Sequence, residues 1–253
     1  MSLHLLYYHM LIKITIFCSN SYLRIYRESE VKHMVNDNYE TKYDVFHSYL
    51  VRTATYAGEE EFPAIKSCNE IPNKVVPFSE TMKSNYNDFD CWVCFYELDY
   101  LFIRFWNDPK KYLPRLRKFK GVISCDFSLY ANMPLVMQKY HIYMGRALAN
   151  WLIDNNIKVI PNVRLGDERT YKFAFDGLYK GDVVAIGTIG TTKRKEEREL
   201  VVNAIKKTIE VLEPVDIVIY GSLPSDIKEN YPEVTFHVFE NYNFKKMKEK
   251  QHG

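Results

Sequence analysis

Seven short apolar runs, rich in β-branched and aromatic residues, recur along the chain from residue 74 onward. They occupy residues 74–78, 91–97, 121–124, 157–163, 182–189, 215–221 and 234–240. Strands that are covered on both faces are apolar throughout, whereas half-exposed antiparallel strands alternate between apolar and polar residues. The runs therefore predict a parallel sheet covered by helices, in which residues 122, 158, 183 and 216 lie near the starts of neighbouring strands.

Helical stretches separate most of these runs. Asp108 and Pro109 have the preferred order for a helix start, an N-capping carboxylate followed by proline at the first helical position. Residues 133–156 carry apolar side chains at helical spacing, and Trp151 continues their apolar face, so we expect its indole to be buried. Residues 192–214 repeat the pattern and end at a proline. These stretches predict amphipathic helices that cover the sheet.

Two architectures accommodate seven parallel strands joined by helices. The first is a TIM-barrel-like or incomplete barrel of mostly parallel β/α repeats, and the alternative is an open doubly wound sheet. No run is followed by a glycine-rich dinucleotide-binding loop, which favours the barrel-like arrangement. We assign residues 71–244 to this α/β domain, 34–70 to an N-terminal extension with a short helix, and 245–253 to a basic tail.

The first 33 residues are apolar enough to resemble a signal segment, but a histidine and a lysine interrupt them and no basic n-region precedes them. The same interruptions argue against a membrane span. The codons for residues 27–33 can form a purine-rich ribosome-binding sequence just before Met34. We therefore interpret residues 1–33 as a translated leader or disordered segment, with Met1 and Met34 as alternative starts. An amphipathic element that packs on the domain is the structural alternative.

The charge balance of the chain does not indicate a polyanionic partner. The 34 basic residues face 32 acidic ones, for a formal net charge of +2, so neither nucleic acid nor a membrane surface is indicated. Five cysteines without a regular spacing fit a reducing compartment, and we expect a cytoplasmic protein with free thiols. Cys91 and Cys94 have the spacing of a redox or zinc pair, but in a strand they face opposite sides, so we interpret them as core residues.

Polar residues follow the ends of several runs, where ligands bind in parallel α/β proteins. Asp126 follows the third run, and Arg164, Asp167 and Glu168 follow the fourth. Carboxylates beside a cation take different pKa values, so they can serve acid–base chemistry or hold a metal. We predict these four residues as catalytic candidates. The structural alternative is that Asp126 caps a turn or pairs with Arg164, while residues 166–168 begin a helix.

Further polar residues at the strand ends are candidates for ligand binding. They are Ser128, Asn162, Thr188, Thr191, Ser222 and Glu240. Residues 188–195 combine hydroxyls, a glycine and basic side chains before a helix, which indicates a phosphate cradle, with a solvated helix start as the alternative. No zinc or metalloprotease motif and no nucleophile elbow occurs, so we assign no metal site, and the cofactor stays unknown.

Three stretches resemble the domain of unknown function 4417 family: KFKGVISCDFSLYANMP, VIPNVRLGDERTYKFAFDGL and GDVVAIGTIGT. The similarity runs from roughly residue 70 to 242, and the chain departs from the family pattern at Cys125, where members often carry proline, and at Leu165, where they often carry tryptophan. The resemblance implies a protein of a bacteriophage, plasmid or related mobile element, acting in the cytoplasm of a bacterial host. It implies no established activity or catalytic residue.

Two functions fit these observations, and both leave open whether the protein is an enzyme. The first is an enzyme or ligand-binding protein that acts at the strand ends on a nucleotide or another small phosphate-containing compound. The second is a non-enzymatic interaction protein, such as a replication accessory or a binder of a host defence component, with a host or phage protein as partner. The polar strand ends favour the first function, and the aromatic N-terminal extension favours the second. A concave polar pocket containing Asp126 and Arg164 would favour the first, whereas a flat aromatic face with those two residues paired off would favour the second.

Overall fold

The computed structural model describes residues 23–24, 44–130, 132–189 and 195–252, and this part of the chain forms a mixed α/β fold. The strands are β1 (Leu23–Arg24), β2 (Tyr56–Ala57), β3 (Phe62–Pro63), β4 (Val75–Pro77), β5 (Trp92–Cys94), β6 (Gly121–Ile123), β7 (Val159–Ile160), β8 (Val184–Gly187), β9 (Asp216–Tyr220) and β10 (Thr235–Phe239). The α-helices are α1 (Phe78–Thr81), α2 (Asp99–Asn107), α3 (Pro109–Leu116), α4 (Leu135–Asp154), α5 (Lys195–Leu212), α6 (Ser225–Asn230) and α7 (Tyr242–His252). Each of the seven predicted runs contains one strand, from β4 to β10.

The strands β4 to β10 pair in parallel and in the order in which they occur along the chain. β4, β5, β6 and β7 form one sheet, and β8, β9 and β10 form another. A parallel bridge between Asn162 and Ala185 connects the two sheets. The prediction of neighbouring parallel strands is therefore confirmed. β1, β2 and β3 form a separate antiparallel sheet.

The set of parallel strands is not closed in the described part of the chain. No backbone ladder joins β10 to β4 there, so the predicted barrel is not confirmed. The strand order also does not reverse, as it does in an open doubly wound sheet. Beyond β10, α7 packs against β4, and the Lys246 ammonium lies 3.0 Å from Oε1 of Glu80. Because α7 extends from Tyr242 to His252, most of the predicted basic tail is helical.

Three groups of buried side chains form the core. The first gathers residues from every strand between β4 and β9: Val75, Trp92, Cys94, Ile123, Ile160, Ala185, Val218 and Tyr220. The second lies between the β4–β7 sheet and helices α1 to α4, and the third lies between the β8–β10 sheet and helices α5 and α6. Cys91 belongs to the second group and Cys94 to the first, so the two thiols face opposite sides, as predicted. Trp151 is buried, as predicted, together with Met144 and Leu148, but Met137 and Tyr140 on the same predicted face of α4 are exposed.

Short local signals set the helix ends. Oδ1 of Asp108 accepts a hydrogen bond from the backbone N–H of Lys111 at 3.3 Å, which confirms the capped start of α3. α4 stops at the two predicted asparagines, and Asn156 has a φ of 62°, a left-handed conformation that asparagine tolerates better than most residues.

The N-terminal extension contains one short 3-10 helix, Ser48–Val51, followed by the β2–β3 hairpin. Apart from Leu23 and Arg24, which pair with β2, the first 33 residues lie outside the described residues. The leader assignment and the domain limits therefore stay predictions. Among the helices that the structure describes, none combines the length and apolar character needed to cross a bilayer.

Candidate functional site

Four polar side chains meet at the carboxyl ends of three neighbouring strands. Tyr96 follows β5, Asp126 follows β6, and Asn162 and Arg164 follow β7. Because adjacent parallel strands end at the same edge of a sheet, residues that are distant in sequence converge there. This convergence was predicted for Asp126 and Arg164, and the structure places them in contact.

Hydrogen bonds connect these residues into one network. The Asn162 side-chain amide donates to Oδ1 of Asp126 at 2.8 Å, and Nη1 of Arg164 lies 3.3 Å from Oδ2 of the same carboxylate. The Tyr96 hydroxyl donates to Oδ1 of Asn162 at 2.9 Å, while the Asn162 backbone N–H donates to the Ser124 hydroxyl at 2.8 Å. We call these five residues the Asp126 network. Every member is held by at least one other member.

Burial dominates the electrostatics of the Asp126 carboxyl, which is only 8% exposed. Loss of hydration raises its pKa above the ordinary value, and the Arg164 charge and the Asn162 hydrogen bond only partly oppose this rise. A carboxyl group with a raised pKa beside fixed donors can accept and return a proton more readily than a solvated one.

A small cavity lies beside the network, between α4 and the loops that follow β6 and β7. Its walls include Ser124, Phe127, His141, Arg146, Asn162 and Arg164. Its free volume is about 20 Å³, enough for one or two water-sized atoms at about 10–15 Å³ each. In this conformation the cavity can therefore admit only the tip of a ligand, with the remainder outside.

The other two catalytic candidates lie apart from this network. Nη2 of Arg169 is 2.7 Å from Oδ2 of Asp167. Hydrogen bonds from Arg169 lower the pKa of Asp167 to about 2. Oδ1 of Asp167 also accepts the backbone N–H of Arg169, which caps the 3-10 helix Glu168–Lys172. Glu168 is exposed in that helix. These two residues fit the helix-start interpretation, and their predicted catalytic roles stay untested.

Three of the predicted ligand-binding residues form hydrogen bonds within the protein. Asn162 belongs to the Asp126 network, whereas Ser128 donates from its backbone and its hydroxyl to Asp99, with the hydroxyl 3.0 Å from Oδ1. Thr188 is buried, and its hydroxyl donates to the carbonyl of Ser222 at 2.9 Å.

The remaining candidates are exposed or lie beyond the described residues. The Ser222 side chain is exposed, and exposed Glu240 forms an ion pair with Lys248. Thr191 lies outside the described residues, as do its neighbours from 190 to 194. The predicted phosphate cradle at residues 188–195 therefore stays a prediction.

Sequence reasoning missed four polar residues at this site, Ser124, Tyr96, Arg146 and His141. Tyr96 lies within the second apolar run, where an aromatic residue is typical of the core, and its terminal hydroxyl was the available signal. Arg146 lies in α4 between the buried residues Gly145 and Ala147, and a lone arginine on a buried helix stretch could have identified it. His141 also lines the cavity, with Nδ1 2.7 Å from the carbonyl of Ser128.

Within the ranges that the structure describes, no three His, Cys, Asp or Glu side chains converge in a way that could hold a metal ion.

The fold and the site define a parallel α/β protein with a carboxylate–guanidinium network at its strand ends. Comparison with known families gives the more particular assignment. The family described as domain of unknown function (DUF4417) matches residues 54–240, so the chain belongs to this family.

Two curated relatives are phage proteins. The chain is 31% identical to the "Gene 1 protein" of Mycobacterium phage L5 over 136 residues, which cover 54% of this chain and 59% of that protein. It is 25% identical to the "Gene 1 protein" of Mycobacterium phage D29 over 194 residues, which cover 76% of this chain and 71% of that protein. The chain thus spans about three fifths of the length of the first relative. No solved structure matches the chain.

Proposed function

We propose that this phage-type protein binds a small phosphate-containing compound, such as a nucleotide, at the Asp126 network. The observation that carries this proposal is the contact of the buried Asp126 carboxyl with Asn162 and Arg164, two residues that line a cavity whose walls do not include Asp126 itself. Arginine suits phosphate because its planar group donates several hydrogen bonds in a fixed geometry. Nε of Arg164 is buried and has no hydrogen-bond partner among the described residues, so one donor of this guanidinium is available to a ligand.

The proposal assigns distinct roles within the network. Arg164 binds a ligand oxygen, and Asn162, held by Tyr96 and Ser124, fixes the orientation of the Asp126 carboxyl. Asp126 is the residue that we expect to exchange a proton if the bound compound reacts, because burial raises its pKa. Asp167 and Glu168 would act only if the ligand extends beyond the cavity to the 3-10 helix that contains Glu168.

We further propose an incomplete barrel as the scaffold. The sequential order of the seven parallel strands and the shared core from β4 to β9 support it. The cytoplasm of a bacterial host is the proposed location. It is supported by the phage relatives and by free thiols at Cys68, Cys91, Cys94 and Cys125. Occurrence on plasmids also stays a prediction.

A thermal-shift screen tests the ligand proposal. Nucleotides, sugar phosphates and inorganic phosphate are each added with and without divalent metals. A ligand at 100 times its Kd should stabilise the folded chain by about 2.7 kcal/mol, which raises Tm by about 5–10 °C for a chain of this size. Arg164→Gln should abolish this rise. Arg117→Gln is the matched control, because Arg117 is an exposed arginine whose recorded contact is with Asn155.

Two results would reject the proposal. The first is that no phosphate compound raises Tm, and the second is that Arg164→Gln responds as the wild type does. In either case the non-enzymatic interaction protein becomes the better interpretation. Exposed aromatic side chains such as Phe46 and Tyr100 would then be the first contacts to examine.

A further inference from the structure

Arg146 is a buried charge with an incompletely satisfied guanidinium group. The residue is only 5% exposed, near the middle of α4. Nη2 donates to the carbonyl of Ala174 at 2.8 Å, but Nη1 is buried and has no hydrogen-bond partner among the described residues. Buried charges are ordinarily paired, because an unpaired one loses its hydration without compensation. Arg146 therefore carries an electrostatic cost that the described contacts do not offset.

Asp176, the opposite charge that acts on Arg146, does not supply the missing hydrogen-bond partner. Asp176 attracts Arg146 through space, but no ion pair within 4.0 Å connects them in the described structure. Burial consequently lowers the pKa of Arg146 to about 9, and it raises the pKa of Asp176 above its ordinary value. Both groups behave as poorly solvated charges rather than as members of a close salt bridge.

The cavity beside the Asp126 network brings Arg146 and Arg164 to the same space. Both arginines line it, and each has one buried N–H donor without a partner, Nη1 of Arg146 and Nε of Arg164. The two donors come from different elements, α4 and the loop after β7. Gly145, also in the cavity wall, permits close approach of α4, since a Cβ there would lie 3.1 Å from the carbonyl oxygen of Cys125.

We propose that Arg146 is a ligand-binding residue and that this cavity receives an oxygen of an oxyanion, either a phosphate or a carboxylate group, between Arg146 and Arg164. The inference rests on the proposed function and deepens it, because it assigns the place of the ligand's charged end. The positive charge of the two arginines does not by itself favour an anion in the cavity, because Asp126 and Asp176 lie near them. The two unpartnered donors on residues that line the cavity favour it, because an oxyanion oxygen can accept from two guanidinium groups at once. The cavity of about 20 Å³ fits one such oxygen with the rest of the group at its mouth.

Arg146→Met separates a binding role from a structural one. Methionine keeps a long, unbranched side chain but removes the charge and the hydrogen-bond donors. If Arg146 serves the ligand, the variant should bind inorganic phosphate at least tenfold more weakly by isothermal titration calorimetry. Without phosphate its Tm should stay close to that of the wild type, because removal of the unpaired buried donor offsets loss of the hydrogen bond to the Ala174 carbonyl. Arg117→Met, at an exposed position, should change neither quantity.

A second measurement reports on the two arginines directly. In wild-type protein labelled with ¹⁵N, inorganic phosphate should shift the side-chain signals of Arg146 and Arg164 and leave that of Arg117 in place. Acetate is titrated in parallel, and a shift with acetate alone would assign the site to carboxylates. Unchanged signals with both anions would show a site for water only and would overturn the inference. This measurement remains decisive if Arg146→Met does not fold.

The two proposals fail in different ways. If Arg164→Gln abolishes phosphate binding while Arg146→Met retains wild-type affinity, the inference about Arg146 is wrong and the proposed function stands. If Arg146→Met lowers Tm but binds phosphate normally, Arg146 is a structural residue. If wild-type protein binds no anion by either method, both proposals are wrong.

Discussion

The two sheets of parallel strands end in different ways. After β5, β6 and β7, polar side chains turn towards one another and form the buried Asp126 network. Among the described residues after β8, β9 and β10, the predicted polar side chains form no such network: the Thr188 hydroxyl donates to the backbone carbonyl of Ser222, and Glu240 is exposed and pairs with Lys248. A polar residue at a strand end is therefore a weak indication of a site. Burial together with an unused donor is a stronger one.

The largest expected difference between the two sheets is in stability. Asp126→Ala leaves the Asn162 amide and the Arg164 guanidinium without their acceptor, and it should cost about 3 kcal/mol of unfolding free energy, as expected when one partner of a buried pair is removed. Glu240→Ala, at the end of β10, should stay within about 0.5 kcal/mol of the wild type. Urea denaturation of both variants measures the contrast. Equal losses would break the comparison.

A smaller loss is expected when the network keeps its charges but loses one hydroxyl. Tyr96→Phe removes the donor to Oδ1 of Asn162 and leaves a buried acceptor unsatisfied, which should cost about 1–3 kcal/mol. Tyr100→Phe is the control because the Tyr100 side chain is exposed. The same denaturation measurement applies. A neutral Tyr96→Phe would mean that Asn162 is positioned without this bond.

Thr188→Val tests the strand ends of the second sheet, β8 to β10. The change removes a hydroxyl that donates to the Ser222 carbonyl, and we expect a cost of about 1 kcal/mol, the ordinary value of one hydrogen bond. Binding of inorganic phosphate should not change, because Thr188 is not among the residues that line the cavity. Loss of binding in calorimetry with intact stability would move the site towards β8.

The smallest effect is a change in the pH dependence of stability. The pKa of Asp167 is lowered to about 2 in the folded chain, so this carboxylate adds stability above its unfolded pKa of about 4, and that stability is lost as the pH falls towards 2. The pKa of Asp126 is raised, so protonation of Asp126 partly offsets the loss in acid. Asp167→Asn should flatten the fall of Tm below pH 4, and Asp126→Asn should steepen it. Identical Tm–pH curves would contradict both assignments.

The elements were predictable because their signals are local. Alternation of apolar runs with amphipathic stretches identified the seven parallel strands, and strand adjacency placed Asp126 near Arg164. Arg146 escaped prediction because its position depends on how α4 rotates over the sheet, which tertiary packing decides. Barrel closure was equally beyond reach, since edge pairing between β4 and β10 has no signature within either strand. The hydroxyl of Thr188 donates to the backbone carbonyl of Ser222, and the predicted ligand-binding role of Thr188 stays a prediction.

The packing of α7 against β4 has a consequence for the folding of the chain during its synthesis. β4 is the first strand of the parallel set, it pairs with one strand, β5, in the part of the chain that the structure describes, and α7 is the last described element. A ribosome that adds about 5–20 residues per second needs roughly ten to thirty seconds to travel from one to the other. During that interval β4 lacks its contacts with α7, and unpaired strand edges can recruit other chains. Synthesis that stops before Tyr242 should therefore leave a partly folded chain that is more prone to association.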